Sequence, residues 1–148
     1  MKRGVTTLLG MLFMSLSVLS FAQNRADAEG IQFFEGTWDE ALQKAAAENK
    51  PIFLDVYASW CAPCKLLKNN TFPDVEVGRY FNNQYINVSL DGEKGDGVQV
   101  AHDLNVQAYP SLFILNSSGE PLVYFAGFLK SGDFIELGKA GIEQLNKK

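Results

Sequence analysis

The chain has 148 residues, 47% of them hydrophobic and 20% charged, a size and balance that suit one globular core and exclude two. A formal charge of −4 argues against nucleic acid or an anionic membrane surface as the main partner, because both select a basic face. No repeat or low-complexity tract interrupts the sequence.

Residues 1–22 read as a secretory signal peptide. Lys2 and Arg3 precede an apolar run from Val5 to Ala22, which closes on the small-x-small triplet Ser20-Phe21-Ala22. Cleavage after Ala22 starts the mature chain at Gln23; losing two basic residues and no acidic one takes the formal charge from −4 to −6. An uncleaved anchor is the competing reading, since the run sits at the lower length limit for spanning a bilayer. Either way the domain is placed outside the cytoplasm, where disulfides persist. Residues 23–30 form a short leader, and the folded domain is expected over 31–148.

Ile31 to Phe34 is expected to be a first strand. Thr37-Trp38-Asp39-Glu40 has the capping-box pattern and predicts a helix to about Asn49, with Trp38, Leu42 and Ala45 on its packed face. Pro51 opens an apolar strand over Ile52 to Tyr57. A short turn follows, and it delivers Cys61 to the head of a helix in which Pro63 is tolerated because first-turn N–H groups lack helical partners. Free N–H groups and the positive end of the helix dipole favour a thiolate there, and can bring a cysteine pKa from about 8.5 into a range of roughly 3.5–7.5. Cys64 lies one helical turn on, within reach of Cys61, so the two can cycle between dithiol and disulfide. A structural staple would normally close a longer loop. A zinc site needs about four ligands, and beyond these two cysteines the chain offers one histidine, His102.

The cysteine helix is expected to carry Leu66 and Leu67 inward and Lys65 and Lys68 outward, up to a break at Thr71-Phe72-Pro73-Asp74. Asp74 caps a helix over Val75 to Phe81, and Tyr85 to Leu90 alternates as a strand. Asp91 to Gly97 reads as an exposed acidic loop; as a calcium site it lacks the ligand series and terminal glutamate of an EF-hand. Val98 to Leu104 is a short helix closed by Asn105, with His102 on its surface. Ser111 to Leu115 and Leu122 to Phe125 form a hairpin across Asn116-Ser117-Ser118-Gly119. Ser131 or Asp133 caps a last helix that buries Phe134, Ile135, Leu137, Ile142 and Leu145. Gly138 and Gly141 either weaken that helix or let it approach the sheet closely. Strands alternating with helices and ending in a hairpin predict an α/β fold: a central mixed sheet with parallel crossovers and an antiparallel edge, flanked by helices on both faces.

This order, with Trp60-Cys61-Ala62-Pro63-Cys64 after the central strand and Tyr109-Pro110 before the hairpin, resembles the thioredoxin superfamily over residues 31–146. Leu54 to Cys61, Thr71-Phe72 and Leu104-Asn105-Val106 are most similar to secreted thioredoxin-like proteins and to the C-terminal thioredoxin-like domain of the transmembrane thiol:disulfide interchange reductase. The resemblance implies that Asp55, six residues before Cys61, is a buried acid that moves a proton to or from Cys64. A lone carboxylate in an apolar strand is in any case costly to bury and has to be justified. It also implies that Pro110 is a cis-proline beside the site and that Trp60 shields the thiolate. Two positions depart from thioredoxin itself: Ala62-Pro63 stands where it has Gly-Pro, and Asn87 where it has a lysine near the acid.

The sequence therefore reads as an exported thiol:disulfide oxidoreductase, periplasmic or secreted, in which Cys61 attacks a protein disulfide and Cys64, assisted by Asp55, resolves the mixed disulfide. Trp60, Pro63, Tyr109 and Pro110 are expected to receive an extended substrate segment. The expected partners are protein disulfides and, by the same resemblance, a membrane electron donor. The chain is expected to act as a monomer, needing no metal or organic cofactor. The alternative from another class is a binding module that holds Cu(I) or client proteins on the two thiolates without turnover. Met1, Met11 and Met14 all lie in the expected signal peptide, which leaves the mature chain no methionine to assist.

Overall fold

A computed structural model of the chain describes residues 30–147. The signal peptide expected over 1–22 and nearly all of the leader lie outside them. Among the described residues no helix is long and apolar enough to cross a membrane.

The elements are α1 (Trp38–Glu48), β1 (Ile52–Tyr57), α2 (Ala62–Leu66) continued by a π-helical turn (Leu67–Thr71), α3 (Val75–Gln84), β2 (Ile86–Asp91), α4 (Asp96–Asp103), β3 (Ser111–Leu115), β4 (Pro121–Ala126) and α5 (Ser131–Asn146). The sheet order is β2-β1-β3-β4. β1 runs parallel to β2 and antiparallel to β3, and the β3–β4 hairpin is antiparallel. The mixed sheet flanked by helices is as expected.

Strand periodicity sorts the core into two layers. Ile52, Leu54 and Val56 join Ile86, Val88, Phe113 and Leu115 against α1 and α4. Phe53, Leu112 and Ile114 face the other way, onto Leu67, Phe72, Val77, Phe81, Tyr85 and Phe134. Edge-to-face pairs of Phe53 with Phe81 and Phe134, at 5.1 and 5.2 Å, tie this second layer together. Asp55 follows Phe53 by two residues and so belongs to the second layer, the one that carries the cysteine helix.

Helix ends follow local chemistry. Thr37 and Glu40 form the complete capping box, Asn49 closes α1 in a left-handed conformation at φ 48°, and the Asp74 carboxylate accepts from Glu76 and Val77 at the head of α3. α5 differs from expectation: its N-cap is Lys130, which has no side-chain cap hydrogen bond, and Ser131 is already helical. The Ser131 hydroxyl bonds Asp74 instead and, with the α3 N–H groups, holds that carboxyl below its usual range.

Three further expectations are corrected. Ile31 to Phe34 is extended but not a ladder strand: Phe34 N–H donates to the Asn87 carbonyl, while the amides of Asn87 and Asn82 take the Gln32 and Gly30 carbonyls. Side-chain amides thus cover the open edge of β2, where a strand would have used backbone pairing. Leu66 is 47% exposed, because Cys64, Leu67 and Thr71 occupy the inward stripe and Leu66 lies about 100° round the helix from Leu67. The acidic loop is shorter than Asp91–Gly97, since α4 begins at Asp96 and buries Gly97 against the Asp91 carbonyl.

The two glycines of α5 serve close approach. A Cβ on Gly141 would lie 2.5 Å from Ile114 Cγ2 in β3, and one on Gly138 would lie 2.7 Å from Tyr80 Cε1. Gly132, in the first turn of the same helix, has open space around it. Gly141→Ala should therefore lower unfolding free energy by about 1–3 kcal/mol through overpacking, in spite of alanine's better helix propensity. Gly132→Ala should be neutral or stabilising by up to about 1 kcal/mol. Urea denaturation of the pair of variants checks this; equal stabilisation by both would contradict the packing reading.

Candidate active site

β1 ends at Tyr57, and the turn Ala58–Trp60 brings Cys61 to the N-cap of α2. Cys61 and Cys64 form a disulfide with a Cα–Cα separation of 5.3 Å, and the Cys64 N–H donates to Cys61 Sγ at 3.2 Å. A sulfur that caps its own helix is where negative charge would be stabilised once the disulfide opens. Ala58, Tyr57 and Tyr109 pack around the pair.

Asp55 is 4% exposed. Its Oδ2 accepts from Ser89 Oγ at 2.8 Å, while Oδ1 is buried without a hydrogen-bond partner among the described residues. Burial pushes the carboxyl up to about 7, against the smaller opposing effect of the Ser89 hydroxyl. Asp55, Ser89 and Cys64 line one open cleft of about 490 Å3, whose wall also includes Phe33, Lys65 and Lys68. The cleft thus joins the buried acid to the second cysteine.

On the other side of the disulfide, Trp60 is 66% exposed, which excludes it from the core. Its ring meets Tyr109 edge-on at 6.1 Å, and its indole N–H donates to the Glu93 carboxylate at 3.1 and 3.2 Å. Tyr109 precedes Pro110 across a cis peptide bond, and Pro110 is buried. Burial, with Glu93 and Asp91 nearby, raises the Tyr109 phenol above its ordinary range. Pro63 is half-buried in the first turn of α2. The structure brings Cys61, Cys64, Trp60 and Tyr109 together on one side, and joins Cys64 to Asp55 on the other.

Ser89 was not singled out from the sequence, and Glu93 was read only as an acid of the exposed loop. Ser89 meets Asp55 because the parallel register pairs Asp55 with Ser89 and Phe53 with Asn87. Asn87 is spent on the Gln32 carbonyl and Asn82. The contact to the acid therefore comes from a hydroxyl two residues beyond the position at which the resemblance places a lysine. Glu93 belongs to the acidic loop, and an exposed indole N–H before Cys61 was the signal that an acceptor had to lie near. The three acids of that loop diverge: Asp91 accepts from the Glu93 N–H, Glu93 takes Trp60, and Asp96 accepts from the Trp38 N–H. Among the described residues no group of three or more His, Cys, Asp or Glu is disposed to hold a metal ion. His102 is exposed on α4 beside Asp103.

A cysteine pair at a helix start can serve several folds, but one seated at the head of the helix that follows the central strand of this mixed sheet defines a thioredoxin fold. Sequence comparison agrees, with the thioredoxin-like family matching residues 34–117, more than half of the chain. The chain belongs to that family. It is 27% identical over 133 residues to the thiol:disulfide interchange protein DsbD of Campylobacter jejuni, a match covering 86% of this chain and 23% of that protein. It is 40% identical over 72 residues to mouse spermatogenesis-associated protein 20, covering 49% of this chain and 9% of that one. The chain thus spans less than a quarter of the length of these two curated relatives. Among solved structures it is similar to a candidate disulphide-isomerase from Bacteroides thetaiotaomicron (TM-score 0.69, 40% identity, 78% of this chain and 96% of that one). It also resembles the oxidised C-terminal domain of DsbD from Neisseria meningitidis (TM-score 0.61, 24% identity, 74% and 99%), a likeness that speaks to fold alone.

The raised Asp55 has a consequence for stability. The folded state holds this proton up to about pH 7, whereas the unfolded chain releases it near 3.9. The contribution is therefore fully present below about pH 4 and is lost as pH rises to about 7. Asp55→Asn should remove that slope. Its gain over the parent oxidised protein should be near zero at about pH 4 and grow to ~4 kcal/mol at about pH 8. Urea midpoints across that range check it; a gain independent of pH would contradict burial as the cause.

Proposed function

We propose that the protein is an exported thiol:disulfide oxidoreductase that exchanges disulfides with extracytoplasmic proteins through the Cys61–Cys64 couple. The observation that carries this reading is the cleft in which Cys64 and Asp55 share a wall, with Cys61 capping the helix alongside. In the reducing direction the Cys61 thiolate attacks one sulfur of a substrate disulfide. A mixed disulfide forms and the first substrate sulfur leaves as a thiolate, which takes a proton from water. Asp55, ionised, accepts the Cys64 proton. The Cys64 thiolate then attacks Cys61 Sγ, closing the Cys61–Cys64 disulfide and releasing the second substrate thiolate. The substrate gains two electrons and the protein loses two; the oxidising direction uses the same atoms in reverse.

Trp60, Pro63, Tyr109 and Pro110 are assigned to the substrate side. The exposed indole and the Tyr109 ring offer apolar contact there, and the backbone before β3 offers hydrogen bonds to an extended segment. Residues 1–22 are assigned to export, on the charged start, apolar run and Ser20-Phe21-Ala22. An electron donor in the membrane and action as a monomer complete the proposal.

Two experiments test it. Cys61→Ser should abolish insulin reduction, whereas Cys64→Ser should accumulate covalent adducts through Cys61, because attack survives and resolution does not. Mass spectrometry of the adducts decides; adducts on Cys64 in the Cys61→Ser variant, with none in the converse, would reverse the roles. A reduced protein that binds Cu(I) but turns over no disulfide would instead favour the binding module. For export, N-terminal sequencing of protein from its native host should read from Gln23 or close to it, and Met1 intact in a membrane fraction would favour an anchor.

A further inference from the structure

Asp55 has two chemically distinct oxygens. Oδ2 receives the Ser89 hydroxyl at 2.8 Å, and Oδ1, which is buried, receives no hydrogen bond among the described residues. Ser89 comes from the neighbouring strand, fixed opposite Asp55 by the parallel register of β1 and β2, and it lines the same cleft as Asp55 and Cys64. A hydroxyl that donates to one carboxyl oxygen favours the carbonyl form of that oxygen, so the proton of the neutral acid goes to the other. It also stabilises the carboxylate over the acid, which opposes the effect of burial.

We propose that Ser89 is the positioning residue of the site: by holding Asp55 Oδ2 it confines the transferable proton to Oδ1 and sets the pH at which Asp55 can accept the Cys64 proton. This rests on the proton-transfer role given to Asp55 above. Other charged or titratable groups face the same cleft: Cys64 and Lys65 from α2, Lys68 from the π-helical turn, and Tyr57 from β1 itself. Phe33, from the segment along the β2 edge, and Phe72 contribute only apolar surface. Leu112 lies opposite Asp55 in β3 and brings no charge. Among these groups Ser89 is the one that hydrogen-bonds to Asp55.

The test is the pH profile of insulin reduction by the full mature chain, compared for the parent, Ser89→Ala, Ser89→Thr and both serine variants in an Asp55→Asn background. Loss of a hydrogen bond to a charged group, which is worth on the order of one to two pK units, should move the acid limb of the Ser89→Ala profile upward by about one unit. The maximal rate on the alkaline side should change little. Ser89→Thr keeps the hydroxyl and should keep the parent profile, which also covers the case in which alanine disturbs folding. With Asp55→Asn in place, neither serine variant should shift the limb. A serine with only a structural role would change stability and leave the limb where it is, and that result overturns the proposal. So does a shift that persists without the Asp55 carboxyl. If Asp55→Asn alone keeps the parent profile, the proton-transfer role itself fails and takes the Ser89 assignment with it, an outcome distinct from an unshifted Ser89→Ala beside a responsive Asp55→Asn.

Discussion

A carboxyl group in the wall of an apolar sheet, held by one hydroxyl and with no cation paired to it among the described residues, sets the terms for this molecule. Asp55 sits among residues that supply no charge from the strands on either side, so burial dominates its titration and brings it to about 7. An ordinary surface carboxylate would be ionised at every physiological pH and would be too weak a base to take a proton from a thiol. The same burial costs stability. The sheet limits that cost because the carboxyl stays neutral in the folded protein up to about pH 7.

The rest of the fold keeps that acid and Cys64 on one cleft. Alternation along β1 places Asp55 on the layer of Phe53, the face on which α2, α3 and α5 pack. The aromatic cluster of Phe53, Phe72, Phe81 and Phe134 anchors the helical layer a few residues from the site. Gly138 and Gly141 let α5 close on α3 and β3, which fixes the height of that layer above the sheet. On the opposite lip, Glu93 and Tyr109 steady an indole that would otherwise swing freely in solvent. Each side of the disulfide thus has its own support: an apolar layer with one buried acid on the Cys64 side, an exposed aromatic pair on the Cys61 side.

Much of this was legible in the sequence where a local rule governs. The capping box at Thr37, the N-cap at Asp74, the turn at Asn116 to Gly119 and the Cys61 helix start depend on residues within a few positions of one another, and each is found where the spacing puts it. The cis bond at Pro110 could be expected only through family resemblance, since the X-Pro dipeptide by itself does not choose an isomer. What escaped the sequence depends on register and solvent. The Ser89 hydroxyl reaches Asp55 through a strand alignment that no short segment encodes, and Leu66 faces water because the inward stripe was already filled by Cys64, Leu67 and Thr71. Ile31 to Phe34 has the apolar look of a strand, yet the Asn87 amide takes the Gln32 carbonyl and Asn82 Oδ1 accepts from the Gln32 N–H where a ladder would have formed.

The central claim is that a buried carboxyl beside Cys64 is poised to exchange a proton near neutrality. Its most direct measurement is an NMR titration of the Asp55 side-chain carboxyl carbon, labelled with carbon-13, in the oxidised protein, where neither cysteine titrates. The account places the midpoint at about 7. A midpoint close to the solution value of about 3.9 would mean that the carboxyl is ionised and solvated throughout the working range, and the reading of Asp55 as the proton-transfer group would be contradicted.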